Sequence, residues 1–125
     1  MTLLLDTHTI LWWLTDDPQL SDPAREAISD AASTVFLSAA SVWEITIKTN
    51  LGKLRMPSNW IENVLAGQLM PLPISLEHAV AAGALPPLHR DPFDRMLIAQ
   101  AIALGLTIVT RDRNIARYDV PVLRA

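Results

Sequence analysis

The chain has 125 residues, half of them hydrophobic, and it carries a formal net charge of −3 with no cysteine. A chain of this length buries roughly two-thirds of the surface that its unfolded form exposes, which is enough for a packed core. The lack of cysteine excludes a disulfide framework, an iron–sulfur or thiolate zinc site, and a cysteine nucleophile. We therefore expect a single domain over residues 1–125.

Targeting and nucleotide-binding signals are missing from the sequence. The apolar run Leu3–Leu5 stops at Asp6 with no basic segment before it, unlike a secretory signal. No stretch approaches the ~20 apolar residues of a membrane span. The four glycines stand at least 15 residues apart, which excludes glycine-rich phosphate loops and the GxSxG elbow. These features predict a cytoplasmic protein that does not enter a membrane.

The charges are unevenly distributed along the chain. Residues 1–47 contain seven acidic residues and one basic residue, whereas residues 48–125 contain six acidic and nine basic residues. The pI near 5.5 therefore does not exclude a polyanionic partner.

Short apolar runs alternate with helix-compatible segments in the first half of the chain. Turn residues bound the runs, and serine side chains stand where helices need an N-cap. The predicted elements are, in order, the strand Leu3–Leu5, the helices His8–Leu14 and Ala24–Ala32, the strand Thr34–Leu37 and the helix Ala39–Asn50.

The alternation continues in the second half. The predicted elements are the helix Asn59–Ala66, the strand Met70–Ile74, the helices Ala79–Leu85 and Phe93–Leu104, and the strands Leu106–Thr110 and Val120–Leu123. Two prolines restrict the strand Met70–Ile74 to a sheet edge. The pattern predicts an α/β fold in which a short central parallel sheet is flanked by helices on both faces.

Two aspartates follow predicted strands. Asp6 ends the run Leu3–Leu5, and Asp112 lies two residues beyond Thr110. A single aspartate at a strand end is commonly just a helix cap. Because ligands of open α/β sheets bind at the carboxyl ends of the strands, the pair predicts a shared pocket.

Glu44 interrupts an apolar helix face. Residues at helical spacing with it form one stripe, namely Ala40, Trp43, Glu44, Ile47 and Leu51. Burial of an unpaired carboxylate is costly, so Glu44 needs a basic partner, a proton or a bound cation. The alternative is a glutamate at the core edge that bends towards solvent or pairs with an arginine.

The segment around Asp94 is the most informative. With Pro92 at the first helical position, Asp91 is the N-cap and Asp94 lies at N3, where the helix dipole favours negative charge. Asp91 is therefore interpreted as a cap. Asp94 shares a stripe with apolar residues, which predicts that it faces inward, at the same end of the sheet as Asp6; these residues are Leu97, Ile98, Ala101 and Ile102.

Convergent carboxylates need a cation, since each pair at about 4 Å costs on the order of 4 kcal/mol at an effective dielectric of 20. Oxygen ligands favour Mg²⁺, with Mn²⁺ as an alternative. His8, His78 and His89 show neither HxH nor HExxH spacing, so zinc is a weaker alternative. A bound metal ion activates a water molecule as a nucleophile and neutralises the charge that develops on a phosphoryl group, so such a site predicts phosphodiester hydrolysis.

Basic residues flank these acids in the sequence. Four arginines border Asp94 and Asp112 and are candidate phosphate contacts to a polyanionic substrate: Arg90, Arg95, Arg111 and Arg113. Lys48, Lys53 and Arg55 follow Glu44. An ordinary solvated surface explains scattered arginines equally well.

Four segments of the chain together resemble a known family. They are Leu3–Trp13 (LLLDTHTILWW), Ser38–Ile45 (SAASVWEI), Asp91–Ala101 (DPFDRMLIAQA) and Thr107–Asp112 (TIVTRD). In this order they are similar to the motifs of PIN-domain ribonucleases of the VapC toxin type. The resemblance implies a PIN-like α/β/α fold and Mg²⁺-dependent endoribonuclease activity. It also implies a homodimer and a VapB-like antitoxin that wraps the toxin and blocks its site.

The resemblance assigns roles to particular residues. It implies that Asp6, Glu44, Asp94 and Asp112 form an acidic quartet that holds metal and activates water. Thr110 matches a Ser/Thr position near the site of the family, and Asn114 matches a polar position beside it.

The tryptophans allow two interpretations. Ordinary core packing is the expectation for Trp43, whereas Trp12 and Trp13 either pack in the core or receive an antitoxin helix.

Two other function classes remain as alternatives. A receiver-like acidic signalling domain has a similar size but needs a lysine after a late strand, where this chain has Arg111-Asp112. A non-catalytic interaction module would use the acids only as caps and surface charges.

Overall fold

A sheet of five strands, in which every neighbouring pair runs parallel, forms the centre of the computed structural model, which describes residues 1–125. The strands are β1 (Thr2–Leu5), β2 (Thr34–Ser38), β3 (Leu69–Leu72), β4 (Thr107–Thr110) and β5 (Val122–Arg124). Their order across the sheet is β3-β2-β1-β4-β5, so the proline-containing β3 lies at an edge, as predicted. The α/β fold class is confirmed.

Six helices and one short 3-10 turn connect the strands. The helices are α1 (Thr7–Leu14), α2 (Asp22–Ser29), α3 (Ala39–Asn50), α4 (Trp60–Ala66), α5 (Leu76–Ala84) and α6 (Pro92–Leu104), and the 3-10 turn is Ile115–Arg117. All predicted elements are present with ends shifted by a few residues. None of the helices combines the length and the hydropathy that a membrane crossing requires.

Two apolar layers enclose the sheet because successive side chains of a strand point to opposite faces. Leu3 and Leu5 of β1 belong to a core shared with α1, α2, α3 and α4, whereas Leu4 belongs to a second core built largely on α6. All three leucines are fully buried. The central strand is thus covered on both sides, which fixes the position of its carboxyl end.

Side-chain caps define where the important helices begin. Asp6 caps α1 by accepting from Thr9 N, and Ser38 caps α3 by accepting from Ala40 N. Asp91 caps α6 as predicted, with Pro92 at the first helical position and Asp94 at N3. Asp6 and Asp91 also line the cleft described below, and Ser38 begins the helix that carries Glu44.

The buried face of α3 differs from the predicted stripe. Its buried residues are Ala40, Ser41, Glu44 and Ile45. The expectation that Trp43 packs in the core is wrong, because its side chain is 61% exposed and contacts the edge of Phe93. The small residues Ala40 and Ser41 let α3 pack closely on the face that they share with Glu44 and Ile45. Trp43 lies outside this buried face and therefore points towards solvent.

The inward stripe of α6 is shorter than predicted. Leu97, Ile98 and Ala101 are buried, but Ile102 is half-exposed. Trp12 and Trp13 on α1 are partly buried and pack against the first core. Their packing agrees with the core interpretation for both residues.

Gly105, the C-cap of α6, has a left-handed backbone with φ of 68°. An added Cβ would meet no atom there, so Gly105→Ala isolates backbone strain, and we expect a loss of about 1 kcal/mol of unfolding free energy in urea titrations. Gly83→Ala is the matched control within α5, also in open space, and should stabilise by about 0.5 kcal/mol. Equal stability of both variants would contradict this account.

Candidate metal centre

The strand order reverses between β1 and β4, which is where ligands bind in open parallel sheets. Leu5 of β1 pairs with Val109 of β4, and the N–H of Asp6 donates to the carbonyl of Val109 over 3.2 Å. Asp6 and Asp112 therefore leave the sheet side by side. The predicted pairing of these two aspartates results from the register of two adjacent strands.

A cleft of about 140 Å³ at this edge has no hydrophobic residue in its lining. The lining residues are Asp6, Thr7, His8, Glu44, Lys48, His89, Asp91, Asp94 and Asp112. All four acids of the predicted quartet are among them, from segments that are up to 106 positions apart in the chain. The fold thus brings the quartet together in one polar depression.

Asp6 is buried and both of its carboxylate oxygens accept hydrogen bonds. Oδ1 accepts from Thr9 N over 2.8 Å, and Oδ2 accepts from the Thr110 hydroxyl. The same hydroxyl accepts from Asp112 N over 3.0 Å. Thr110 therefore links two acids of the cleft, which fits its predicted position beside the site.

Glu44 is neutralised by a base from its own helix. Its side chain is 9% exposed; Oε2 lies 2.7 Å from Lys48 Nζ, and Oε1 accepts from the Thr7 hydroxyl over 2.6 Å. A buried carboxylate on this face was expected to need a basic partner, a proton or a bound cation. The structure shows a basic partner, Lys48, one helical turn away. Glu44 thus enters the cleft with a fixed orientation.

His89 joins the acidic cleft, which the sequence did not predict. Its Nε2 lies 2.8 Å from Asp94 Oδ2 and 3.8 Å from Asp112 Oδ2. One ligand atom from each of these three residues falls within 4.8 Å of the others. Histidine spacing in the sequence does not reveal this site, because only the fold brings Asp112 close to His89. The one local indication that His89 lies near the acids was its position two residues before the Asp91 cap.

The environment of Asp94 alters its ionisation. Burial raises the pKa of Asp94 from 3.8 to about 6, and the negative charges of Asp91 and Asp6 act in the same direction. The hydrogen bond with His89 opposes this rise. Asp94 is therefore an acid whose charged form needs a compensating positive charge, as a metal ligand in a crowded site would.

A network of backbone contacts fixes the loop that carries His89. The Tyr118 hydroxyl accepts from the N–H groups of Leu88 and His89 and donates to the carbonyl of Pro86. Arg95 donates to the carbonyls of Pro86 and His89, and to two further carbonyls, Ala82 and Leu85. The guanidinium of Arg95, predicted as an RNA contact, is thus engaged within the protein, where it ties α5 and the following loop to α6.

The other candidate RNA contacts differ in whether their side chains are bonded within the protein. Arg90 and Arg113 are exposed. Arg111 donates to the carbonyl of Ala125 and lies 4.6 Å over the Trp12 ring, although it still lines a neighbouring groove with Arg113. The side chain of Asn114 is exposed, and only its N–H reaches the site, donating to Asp112 Oδ1 over 2.7 Å.

A buried polar network joins the start of α3 to α5 and α6. Gln100 of α6 is fully buried; its Oε1 accepts from the Ser38 hydroxyl over 2.6 Å, and its Nε2 donates to the carbonyl of Pro73 over 3.2 Å. The same Nε2 lies 3.3 Å from Nδ1 of His78 on α5. The network connects the N-terminus of α3, which carries Glu44, to α6, which carries Asp94.

The donor set fits a divalent cation. Carboxylates from four segments supply hard oxygen ligands with more negative charge than Lys48 alone offsets, and His89 adds a nitrogen. Asp94 and Asp112 present ligand atoms within 4.8 Å of each other, and Asp6 lines the same cleft and is joined to Asp112 through the Thr110 hydroxyl. These three acids are the residues that would hold the ion.

Comparison with known proteins identifies the family. The PIN domain profile matches residues 3–121, and the chain belongs to the PIN-domain family. It is also 31% identical over 124 residues to Ribonuclease VapC22 of Mycobacterium tuberculosis, covering 96% of this chain and 94% of that protein. The chain is therefore a VapC-type member of the family, which confirms the resemblance found in the sequence.

Solved structures share the fold over almost the whole chain. The crystal structure of VapBC2 from Rickettsia felis, bound to a promoter DNA fragment, matches with a TM-score of 0.74 at 17% identity, over 98% of both chains. FitAcB from Neisseria gonorrhoeae matches with a TM-score of 0.66 at 23% identity, over 98% of this chain and 96% of that one. These likenesses support the architecture described above.

The raised pKa of Asp94 gives a stability prediction for the protein kept metal-free with EDTA. Its folded-state pKa of about 6 exceeds the ordinary 3.8, so the folded state binds the proton more tightly, and stability falls as pH rises through this range. At pH 7.5, Asp94→Asn should raise the unfolding free energy by on the order of 1 to 2 kcal/mol, and this gain should vanish near pH 4.

Urea titrations at the two pH values measure this effect. Asp119→Asn, on an exposed surface, is the control and should change stability little at either pH. A gain for Asp94→Asn that does not depend on pH would contradict the electrostatic explanation.

Proposed function

We propose that this protein is a Mg²⁺-dependent endoribonuclease that hydrolyses RNA phosphodiester bonds by a metal-activated water. The observation that carries the proposal is the convergence of Asp6, Glu44, Asp94 and Asp112 in one polar cleft at the reversal point of the sheet. Membership of the VapC-type PIN family supports a nuclease rather than a signalling domain.

The residues of the cleft divide the work. Asp6, Asp94 and Asp112 would hold the cation, and a divalent cation in this position would supply an activated water and compensation of the charge developing on the phosphoryl group. Thr110 holds Asp6 and the Asp112 backbone in one arrangement, which limits reorganisation on binding. In the metal-free protein, the hydrogen bond with His89 Nε2 orients Asp94.

Glu44 and Lys48 of α3 also line the cleft. The Thr7 hydroxyl and the Lys48 ammonium hold both oxygens of Glu44, so this carboxylate faces a water or a cation in a defined direction. The Lys48 side chain is 43% exposed and can also donate to a phosphate oxygen of the substrate. Either Glu44 binds the metal directly or it acts through a water.

RNA is the polyanion that we propose to bind the exposed arginines near the cleft. Arg90 and Arg113 are exposed beside the acids, whereas Arg95 is used inside the fold. Phosphate contacts by such side chains position a strand without reading its sequence. We assign the strongest contribution to Arg90 and Arg113 and a smaller one to Arg111.

A VapB-like antitoxin is the proposed protein partner, in a cytoplasmic toxin–antitoxin pair whose toxin forms a homodimer. Solved structures with the same fold include VapBC assemblies from Rickettsia felis and Salmonella typhimurium. An apolar groove of about 460 Å³ beside Trp43, bordered by Ile61 of α4 and Pro71 of β3, offers a surface that an amphipathic segment can bury.

The two alternative functions have less support. A receiver domain needs a lysine after β4, where Arg111 instead donates to the chain carbonyl of Ala125. A non-catalytic module would retain the caps made by Asp6 and Asp91 but would need neither metal nor RNA cleavage. The variants below distinguish this module from the nuclease.

Asp6→Asn tests the metal-nuclease proposal while keeping the fold, because asparagine caps helices as well as aspartate does. We expect RNA cleavage to fall at least about 100-fold, since loss of a metal-site carboxylate removes several kcal/mol of transition-state stabilisation. The rise in melting temperature on adding millimolar Mg²⁺ or Mn²⁺ should disappear as well.

Cleavage of total RNA and thermal melting with and without metal provide the measurements. Asp22→Asn, in the exposed first turn of α2, is the matched control and should behave as the parent protein. Undiminished cleavage and toxicity for both Asp6→Asn and Asp94→Asn would disprove the proposal.

The arginines can be separated by their salt dependence. Arg90→Ala and Arg113→Ala should each weaken RNA binding and reduce the slope of log K against log salt by about 0.7, because each removes one phosphate contact to a single strand. Neither should change the melting temperature. Arg95→Ala should instead lower the melting temperature, because it removes donors from four carbonyls.

Fluorescence titrations with a labelled RNA at several salt concentrations measure the slope, using the cleavage-deficient Asp6→Asn background. A larger change of slope for Arg95→Ala than for Arg90→Ala would show that this division of the arginines is wrong.

A further inference from the structure

We propose that His89 is a nitrogen ligand of the divalent cation, which makes this centre a mixed carboxylate–imidazole site that prefers Mn²⁺ over Mg²⁺. The inference rests on the proposed function, since it concerns the same cation. It adds a residue outside the acidic quartet and a stronger preference for Mn²⁺ than an all-carboxylate site would show.

The position of the imidazole is the first observation. His89 Nε2 lies 2.8 Å from Asp94 Oδ2 and 3.8 Å from Asp112 Oδ2, and the three ligand atoms fall within 4.8 Å of one another. The side chain of His89 is 14% exposed, less than that of Asp112 at 36%. In the metal-free protein this nitrogen shares a hydrogen bond with Asp94, and a cation bound among the three ligand atoms would take the place of the shared proton.

The rigidity of the loop is a second and independent observation. Tyr118 accepts from the His89 N–H over 3.0 Å, and Arg95 donates to the His89 carbonyl over 3.3 Å, so both backbone polar groups of this residue are held. The Asp91 cap anchors the same loop to α6 from the other side. A loop without a regular element is thus fixed at the point where the imidazole enters the cleft, as metal ligands require.

The other histidines have different surroundings. His8 lines the cleft but is exposed and lies 6.1 Å from the Trp12 ring. His78 is buried in the network of Gln100 and Ser75, where its Nδ1 accepts from the N–H of Ser75. His89 is the histidine whose nitrogen faces two carboxylates of the cleft.

Ligand chemistry gives the metal preference. Mg²⁺ favours carboxylates and water, whereas imidazole nitrogen adds affinity for transition-metal ions. Three carboxylates with one imidazole retain the hard character that suits Mn²⁺, and the nitrogen strengthens Mn²⁺ relative to Mg²⁺. The proposed ligand set therefore predicts tighter binding of Mn²⁺.

Pulsed electron paramagnetic resonance of the full chain loaded with Mn²⁺ tests this ligand directly, because a coordinated imidazole gives a ¹⁴N coupling. We expect the coupling in the parent protein and in His8→Gln, and its loss in His89→Gln. By calorimetry, His89→Gln should weaken Mn²⁺ binding at least about 10-fold and Mg²⁺ binding less than about 3-fold.

The outcomes separate the two proposals. Mn²⁺ binding without any ¹⁴N coupling, or a coupling that persists in His89→Gln, overturns the role of His89 and leaves the ribonuclease proposal standing. Equal losses of Mn²⁺ and Mg²⁺ affinity in His89→Gln overturn the preference for Mn²⁺. Absence of Mn²⁺ and Mg²⁺ binding by the parent protein overturns the metal centre itself, and with it the proposed function.

Discussion

Adjacent parallel pairing of β1 with β4 at the middle of the sheet determines where the chemistry of this protein is located. Both strands are buried on their two faces, so their carboxyl ends cannot shift without disturbing both cores. Asp6 and Asp112 leave the sheet at that edge, and α3 and α6 add Glu44 and Asp94 to the same cleft. The relative position of the acids is thus a property of the core rather than of flexible loops.

Hydrogen-bond donors and one ammonium group of the protein partly offset the electrostatic repulsion among these acids. The Lys48 ammonium and the Thr7 hydroxyl compensate Glu44, and the Thr9 N–H and the Thr110 hydroxyl compensate Asp6. At Asp94, burial and the nearby charges of Asp91 and Asp6 raise the pKa, and the hydrogen bond with His89 offsets only part of the rise. Folding therefore leaves an unbalanced negative charge concentrated at one point, which is what a cation-binding centre needs.

Much of this arrangement could be predicted from local sequence. Leu3–Leu5 followed by Asp6, and Asp91-Pro92 followed by Asp94, each specify an element and the placement of its acid within a few residues. The prediction for Trp43 was wrong because α3 has apolar residues on two adjacent faces, and the sequence alone does not show which face is buried. In the structure the buried face is the one that contains Ala40 and Ser41. His89 and Tyr118 were missed for a related reason, since their contacts span long distances along the chain.

The Gln100 network has a consequence for how α3 and α6 can move. Sliding of α6 by one residue would break the bonds of Gln100 to Ser38 and Pro73 together, and because Gln100 is fully buried, solvent cannot replace them. Small displacements of one helix along the other are therefore not available as a continuous adjustment. Sequence variation between relatives at the cleft should accordingly appear as exchanges of individual side chains on a constant helix register.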